Sequence, residues 1–244
     1  MNERVFKRSQ RRMPAATMLA ALFLAVLASG CSGAKPENPL VDLRERLHSE
    51  SDYSVILADM RSDRGLFSSI YFHRYQIVVG EKMETTSWTQ VSKEMYRRYE
   101  SLLGMTILSK SPEGEVTEAA HPPGYQYVGN SRYGSWQRDR SGGSFWVFYG
   151  QYALMRDLFG LGSRRVYRND WDDYRSYRQQ RRPYFGPKQE YGTNGSHTKK
   201  ANPSFFERKK ATQTRSKEKF GNKVSRRVGR TKTSSRSRGG GFGK

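Results

Sequence analysis

The chain has 244 residues and a formal net charge of +21 at pH 7, and the excess sits at its two ends: residues 1–30 carry +4, residues 31–162 carry −1 and residues 163–244 carry +18. Charge gathered in polar end segments marks interaction tails and not a property of the fold, so the middle reads as an ordinary near-neutral domain. A single cysteine, Cys31, excludes an intrachain disulfide framework.

In chain order, residues 1–13 are polar and basic, and Met18 to Ala28 form an uncharged apolar run that ends in small residues. This is the charged region, short hydrophobic region and small-residue cleavage site of a secretory signal. A spanning helix needs about 20 apolar residues, and this run is shorter. Basic residues before it place the amino terminus inside and the rest of the chain outside.

The run closes on Leu27-Ala28-Ser29-Gly30-Cys31, which resembles the lipobox of bacterial lipoproteins. Residues 1–31 carry the resemblance, and it departs in one respect: the third position before the cysteine is most often leucine in that class and is Ala28 here. The resemblance implies a diacylglyceryl thioether on Cys31, cleavage between Gly30 and Cys31, and acylation of the new amino group. Each buried methylene contributes about 0.8 kcal/mol, so two or three chains hold where one is marginal. Ser32, and not Asp, follows the cysteine, which in this class favours the outer membrane where there are two. The plainer alternative is a secreted protein with Cys31 as a spare thiol.

Residues 31–39 read as a tether twice interrupted by proline, and residues 40–162 as one small α+β domain. Tyr53 to Ala58 and Ser69 to Val79 are rich in β-branched and aromatic residues with a polar, Gly-containing turn between them, which predicts an antiparallel pair. Trp88, Val91, Met95, Tyr99 and Leu102 recur at helical spacing; Ser87 with Gln90 forms a capping box, and Gly104 stands where the helix ends. Met105 to Leu108 reads as a returning strand. Phe145, Phe148, Tyr149, Tyr152, Met155 and Phe159 predict a second helix capped by Ser144, and Gly160-Leu161-Gly162 terminates it.

Between these elements, His121 to Trp136 is crowded with Pro, Gly and aromatic residues. Tyr125, Tyr127, Tyr133 and Trp136 either form an aromatic binding loop or close the edge of the core. The four histidines, His48, His73, His121 and His197, show no metal-ligand spacing, and the nucleophile elbow, phosphate loop and dinucleotide fingerprint are absent. The sequence therefore points to no catalytic residue, metal or cofactor. Glu113 and Glu115, beside Pro112 and Gly114, read as solvated turn charges.

Residues 163–244 read as a basic, largely disordered tail, because aliphatic residues almost vanish there. Tyr167 to Phe185, dense in Tyr and Arg, has the makings of a docking segment. Arg181, Arg182, Lys199, Lys200, Arg208, Lys209, Lys210, Arg226, Arg227, Arg236 and Arg238 are its candidate polyanion contacts. Outside the cytoplasm the polyanions are anionic headgroups, lipopolysaccharide, teichoic acid and peptidoglycan, and near such a surface each cation contributes about 1 kcal/mol. The implied protein is a membrane-anchored, non-enzymatic envelope lipoprotein. Its rival is a nucleic-acid-binding protein acting through the Arg/Gly-rich tail; a third reading is an envelope enzyme working through the aromatic loop.

Overall fold

The computed structural model describes residues 38–64, 68–152 and 165–230. Gly30, Cys31, most of the tether, Met155, Phe159, the Gly160-Leu161-Gly162 terminator, Arg236 and Arg238 lie outside them. The described residues belong to one compact unit beginning at Asn38, and its fold is α+β.

Its centre is β1 (Tyr53–Arg64), an alternating run of β-branched, aromatic and polar residues. β1 lies between β2 (Ser69–Val79) and β5 (Thr106–Lys110) in a six-stranded antiparallel sheet. β3 (Lys82–Thr85) and β4 (Thr89–Val91) both pair with β2, and β6 (Val116–Thr117) closes the other edge beside β5. Successive side chains of a strand face opposite sides, so β1 serves two cores: Val55 and Leu57 belong to one, Ile56 to the other. A register shift between Leu57 and Asp59 returns Met60 to the first core.

The first core packs α1 (Pro39–Arg46) and α2 (Lys93–Tyr99) on the sheet through Leu40, Leu43 and Tyr99. The second packs a single helical turn, Tyr125–Tyr127, and the hairpin β7 (Gly134–Arg138) with β8 (Ser144–Phe148).

Two predicted helices take other forms. The first starts later: Trp88 precedes β4, and Ser92, not Ser87, caps α2, its hydroxyl oxygen accepting from the Met95 N–H at 3.0 Å. The second begins as strand β8, with Trp146 paired to Trp136. Asp139 makes the hairpin possible, accepting from the N–H groups of Ser141 and Gly143 at 3.0 and 2.8 Å, while Gly142 supplies a φ of +86°.

The carboxy-terminal boundary also differs. Residues beyond 162 complete both cores: Val166, Tyr174 and Tyr184 fill the second, Tyr191 and Phe205 the first. Three helices form there, α3 (Arg168–Gln179), α4 (Ser196–Ala201) and α5 (Pro203–Arg230). Thr193 stitches this segment to the turn after α2, donating its hydroxyl to the Glu100 carbonyl at 2.6 Å and accepting from the Leu103 N–H at 3.2 Å. Aliphatic residues are scarce there, but tyrosine buries as much apolar area, so the ordering entropy is met by rings.

Candidate functional site

Tyr125, Tyr127 and Tyr133 are 3%, 0% and 2% exposed, so these rings of the aromatic loop are core residues, with Tyr125 also at the wall of a cavity beside Asp170, Glu190 and Tyr191. Their rings tile the second core; Tyr127 and Tyr133 centroids lie 5.0 Å apart and Tyr125 meets Tyr174 edge to face at 5.5 Å. Trp136 is half-buried between Trp146 and Trp171, with the Arg168 guanidinium 4.9 Å from its ring.

Beneath this layer runs a buried polar chain. Burial pushes the His121 ring pKa down to about 4, so the ring is neutral and carries one N–H. Its Nδ1–H donates to the Ala119 carbonyl at 2.9 Å, which leaves Nε2 as an acceptor 3.1 Å from the Gln126 amide. An acceptor there calls for the amide NH2 on the ring side and the amide oxygen on the Ser54 hydroxyl, which touches Gln126 on its other side. His121, Gln126, Ser54 and neighbouring Asp52 are each at most 5% exposed, so the chain joins strands and meets no substrate. Glu113 and Glu115 are likewise engaged, with Asn130 at 2.6 Å and Arg178 at 2.9 Å. Among the described residues no group of three or more His, Cys, Asp or Glu side chains is placed to hold a metal.

The open chemistry lies on α5. Pro203 suits a first helical position, where no N–H bond is lost, and the Lys, Arg, Glu, Gln and Ala that follow are good helix formers. The first turns dock: Phe205 is 6% exposed, and the Arg208 guanidinium donates to buried Asp59 at 2.6 Å. Arg208 is therefore an anchor to β1 and not a polyanion contact. From Glu207 to Arg227 every residue except Ser216 is exposed. The stretch from Lys209 to Arg230 carries nine cations against Glu218 alone, along about 33 Å of helix.

Lys209, Lys210, Arg226 and Arg227 all lie on this projecting segment. Lys199 and Lys200 are exposed on α4, and Arg181 and Arg182 follow α3, the latter 5.2 Å over the Tyr177 ring. Sequence reasoning missed Arg215, Lys217, Lys219 and Lys223, and the exposed Phe220 and Val224 between them. Their spacing is legible on a helical wheel, but a segment read as disordered is not given one.

Among the described residues no helix is long and apolar enough to cross a membrane. No family model, curated protein or solved structure matches the chain.

Proposed function

We propose that this protein is a bacterial envelope lipoprotein, held to the membrane by lipid on Cys31, whose folded domain presents the cationic helix α5 to an anionic component of the envelope. Its role is binding and positioning, not catalysis. The observation that carries the binding half is a helix fixed at one end through Phe205 and the Arg208–Asp59 pair while its side chains from Lys209 to Arg227 are solvent-facing, Ser216 apart, and densely cationic. The anchoring half rests on the lipobox-like Leu27 to Cys31. Exposed cations along one rod suit a polyanion, whose condensed counterions they release on contact.

The test has two arms. Grown with labelled palmitate in a bacterial host, the wild type takes up label and Cys31→Ala does not; equal labelling of both removes the anchor. The unlipidated chain from Ser32 onward binds purified envelope fractions and is released by roughly 0.5 M salt, where screening is short-ranged. Tighter binding to competitor duplex DNA than to any envelope fraction transfers the protein to the nucleic-acid class.

A further inference from the structure

Phe220 is 70% exposed and Val224 41% exposed. Four residues apart on one helix, they share a face, and beyond Phe206 they are the large apolar side chains of α5 whose exposure is described. Lys217, Lys223 and Arg227 stand beside them on that face, while Arg215, Lys219 and Arg226 lie around the helix from them. A second copy of α5 makes a poor cover for this pair, because it brings the same excess of positive charge against the first. A soluble polyanion answers the cations but leaves the phenyl ring in water. A leaflet of anionic lipid answers both, with phosphates at the surface and hydrocarbon just beneath.

We infer that α5 is an interfacial helix that lies on anionic phospholipid, its cations against headgroup phosphates and Phe220 with Val224 at the acyl boundary. This rests on the reading of α5 as the polyanion-binding element and narrows the polyanion to a lipid surface. Basic, amphipathic helices bind membranes in this manner, by buried apolar area plus attraction to anionic headgroups. The long stems of Lys217 and Lys223 let their ammonium groups reach back to the phosphates while the ring sinks. If Cys31 is lipidated, residues 31–37 can extend at most about 25 Å, so the folded unit that carries α5 stays close to the bilayer. Acyl chains and a basic helix then act as two anchoring signals whose effective concentrations reinforce each other.

The chain from Ser32 onward holds the whole compact unit and contains no cysteine, so a single introduced cysteine can carry an environment-sensitive dye. The probes are vesicles of phosphatidylglycerol with phosphatidylcholine, vesicles of phosphatidylcholine alone, and soluble inorganic polyphosphate. Two positions about 200° apart on the helix give the contrast: Val224→Cys on the apolar face and Arg226→Cys on the cationic one. On anionic vesicles the dye at position 224 brightens and shifts to the blue while that at 226 stays water-like, and neutral vesicles change neither. Phe220→Ser in the Val224→Cys chain weakens vesicle binding about tenfold, as loss of one buried ring implies, and leaves polyphosphate binding unchanged. Because both residues are exposed beyond the docked turns, neither change touches the core.

Equal dye responses at 224 and 226, or unchanged vesicle affinity in Phe220→Ser, overturn the interfacial helix. Binding to polyphosphate then still supports a charge-only polyanion contact. Binding to neither vesicles nor polyphosphate overturns both readings together.

Discussion

His73 and His121 place two imidazoles where water cannot reach them. His73 is 0% exposed, with Nδ1 3.1 Å from the Tyr75 hydroxyl and its ring against Tyr96 and Tyr99, while Nε2 has no hydrogen-bond partner. Burial holds both rings down to a pKa of about 4, against about 6.5 in the unfolded chain. Between those values the unfolded state binds more protons, so stability is full above pH 6.5 and falls as the pH drops toward 4. Each ring accounts for about 3 kcal/mol over that window. His73→Phe keeps an aromatic ring and removes the orphan nitrogen but leaves the buried Tyr75 hydroxyl without its partner, so it costs about 1–3 kcal/mol at pH 7. Urea melts at pH 7 and 4.5 should show roughly half the histidine-linked acid sensitivity in that variant; an undiminished loss would place the titration elsewhere. Spacing along the chain tests histidines as metal ligands and is silent on burial, so neither role was legible in the sequence.

Elements were legible where one period dominated. β2 occupies the residues its β-branched and aromatic run predicts, Ser69–Val79. The run Phe145 to Tyr152 carries rings at spacings that satisfy a helix as well as a strand, and the Asp139-capped turn before it selects the strand. The docking of α3 depends on one residue outside both elements. Gly129 has φ +88°, and a Cβ added there would collide with the Trp171 ring, which sits in the Arg168, Trp136 and Arg175 stack. Gly129→Ala therefore combines left-handed backbone strain with overpacking, about 2–4 kcal/mol, and should disturb the near-ultraviolet circular dichroism of the Trp136–Trp171 pair. Gly114→Ala is the matched control: its φ is +84°, yet a Cβ would meet nothing within 4 Å, so only the backbone penalty of about 1 kcal/mol applies. Equal losses in the two variants, with the tryptophan signal intact, would mean that Trp171 moves aside without consequence.

At the scale of the whole molecule, charge and packing divide the carboxy-terminal third differently. Net charge turns strongly positive from residue 163, and that change marked the expected end of the domain. Packing continues to Phe205, because Tyr174, Tyr184 and Tyr191 fill core positions that a count of aliphatic residues overlooks. The division that matters falls inside α5, between the docked Phe205 to Arg208 and the solvated cations after them. Two truncations separate the possibilities. A chain from Ser32 that stops after Lys210 keeps every buried side chain of both cores and the Asp59–Arg208 pair, so its melting temperature should stay within about 3 °C of the parent, a shift worth less than 1 kcal/mol. It loses eleven of the thirteen cations beyond Arg208 together with Phe220 and Val224, and the salt-sensitive binding to anionic surfaces proposed above should fall with them. A chain that stops after Gly162 lacks Val166, Tyr174, Tyr184, Tyr191 and Phe205, which leaves both cores open, and it should show no cooperative melt. A cooperative melt near the parent temperature in that shorter chain would mean that the residues after 162 only decorate a domain already complete. Loss of folding after the cut at Lys210 would mean instead that the exposed part of α5 belongs to the folding unit, whatever it binds.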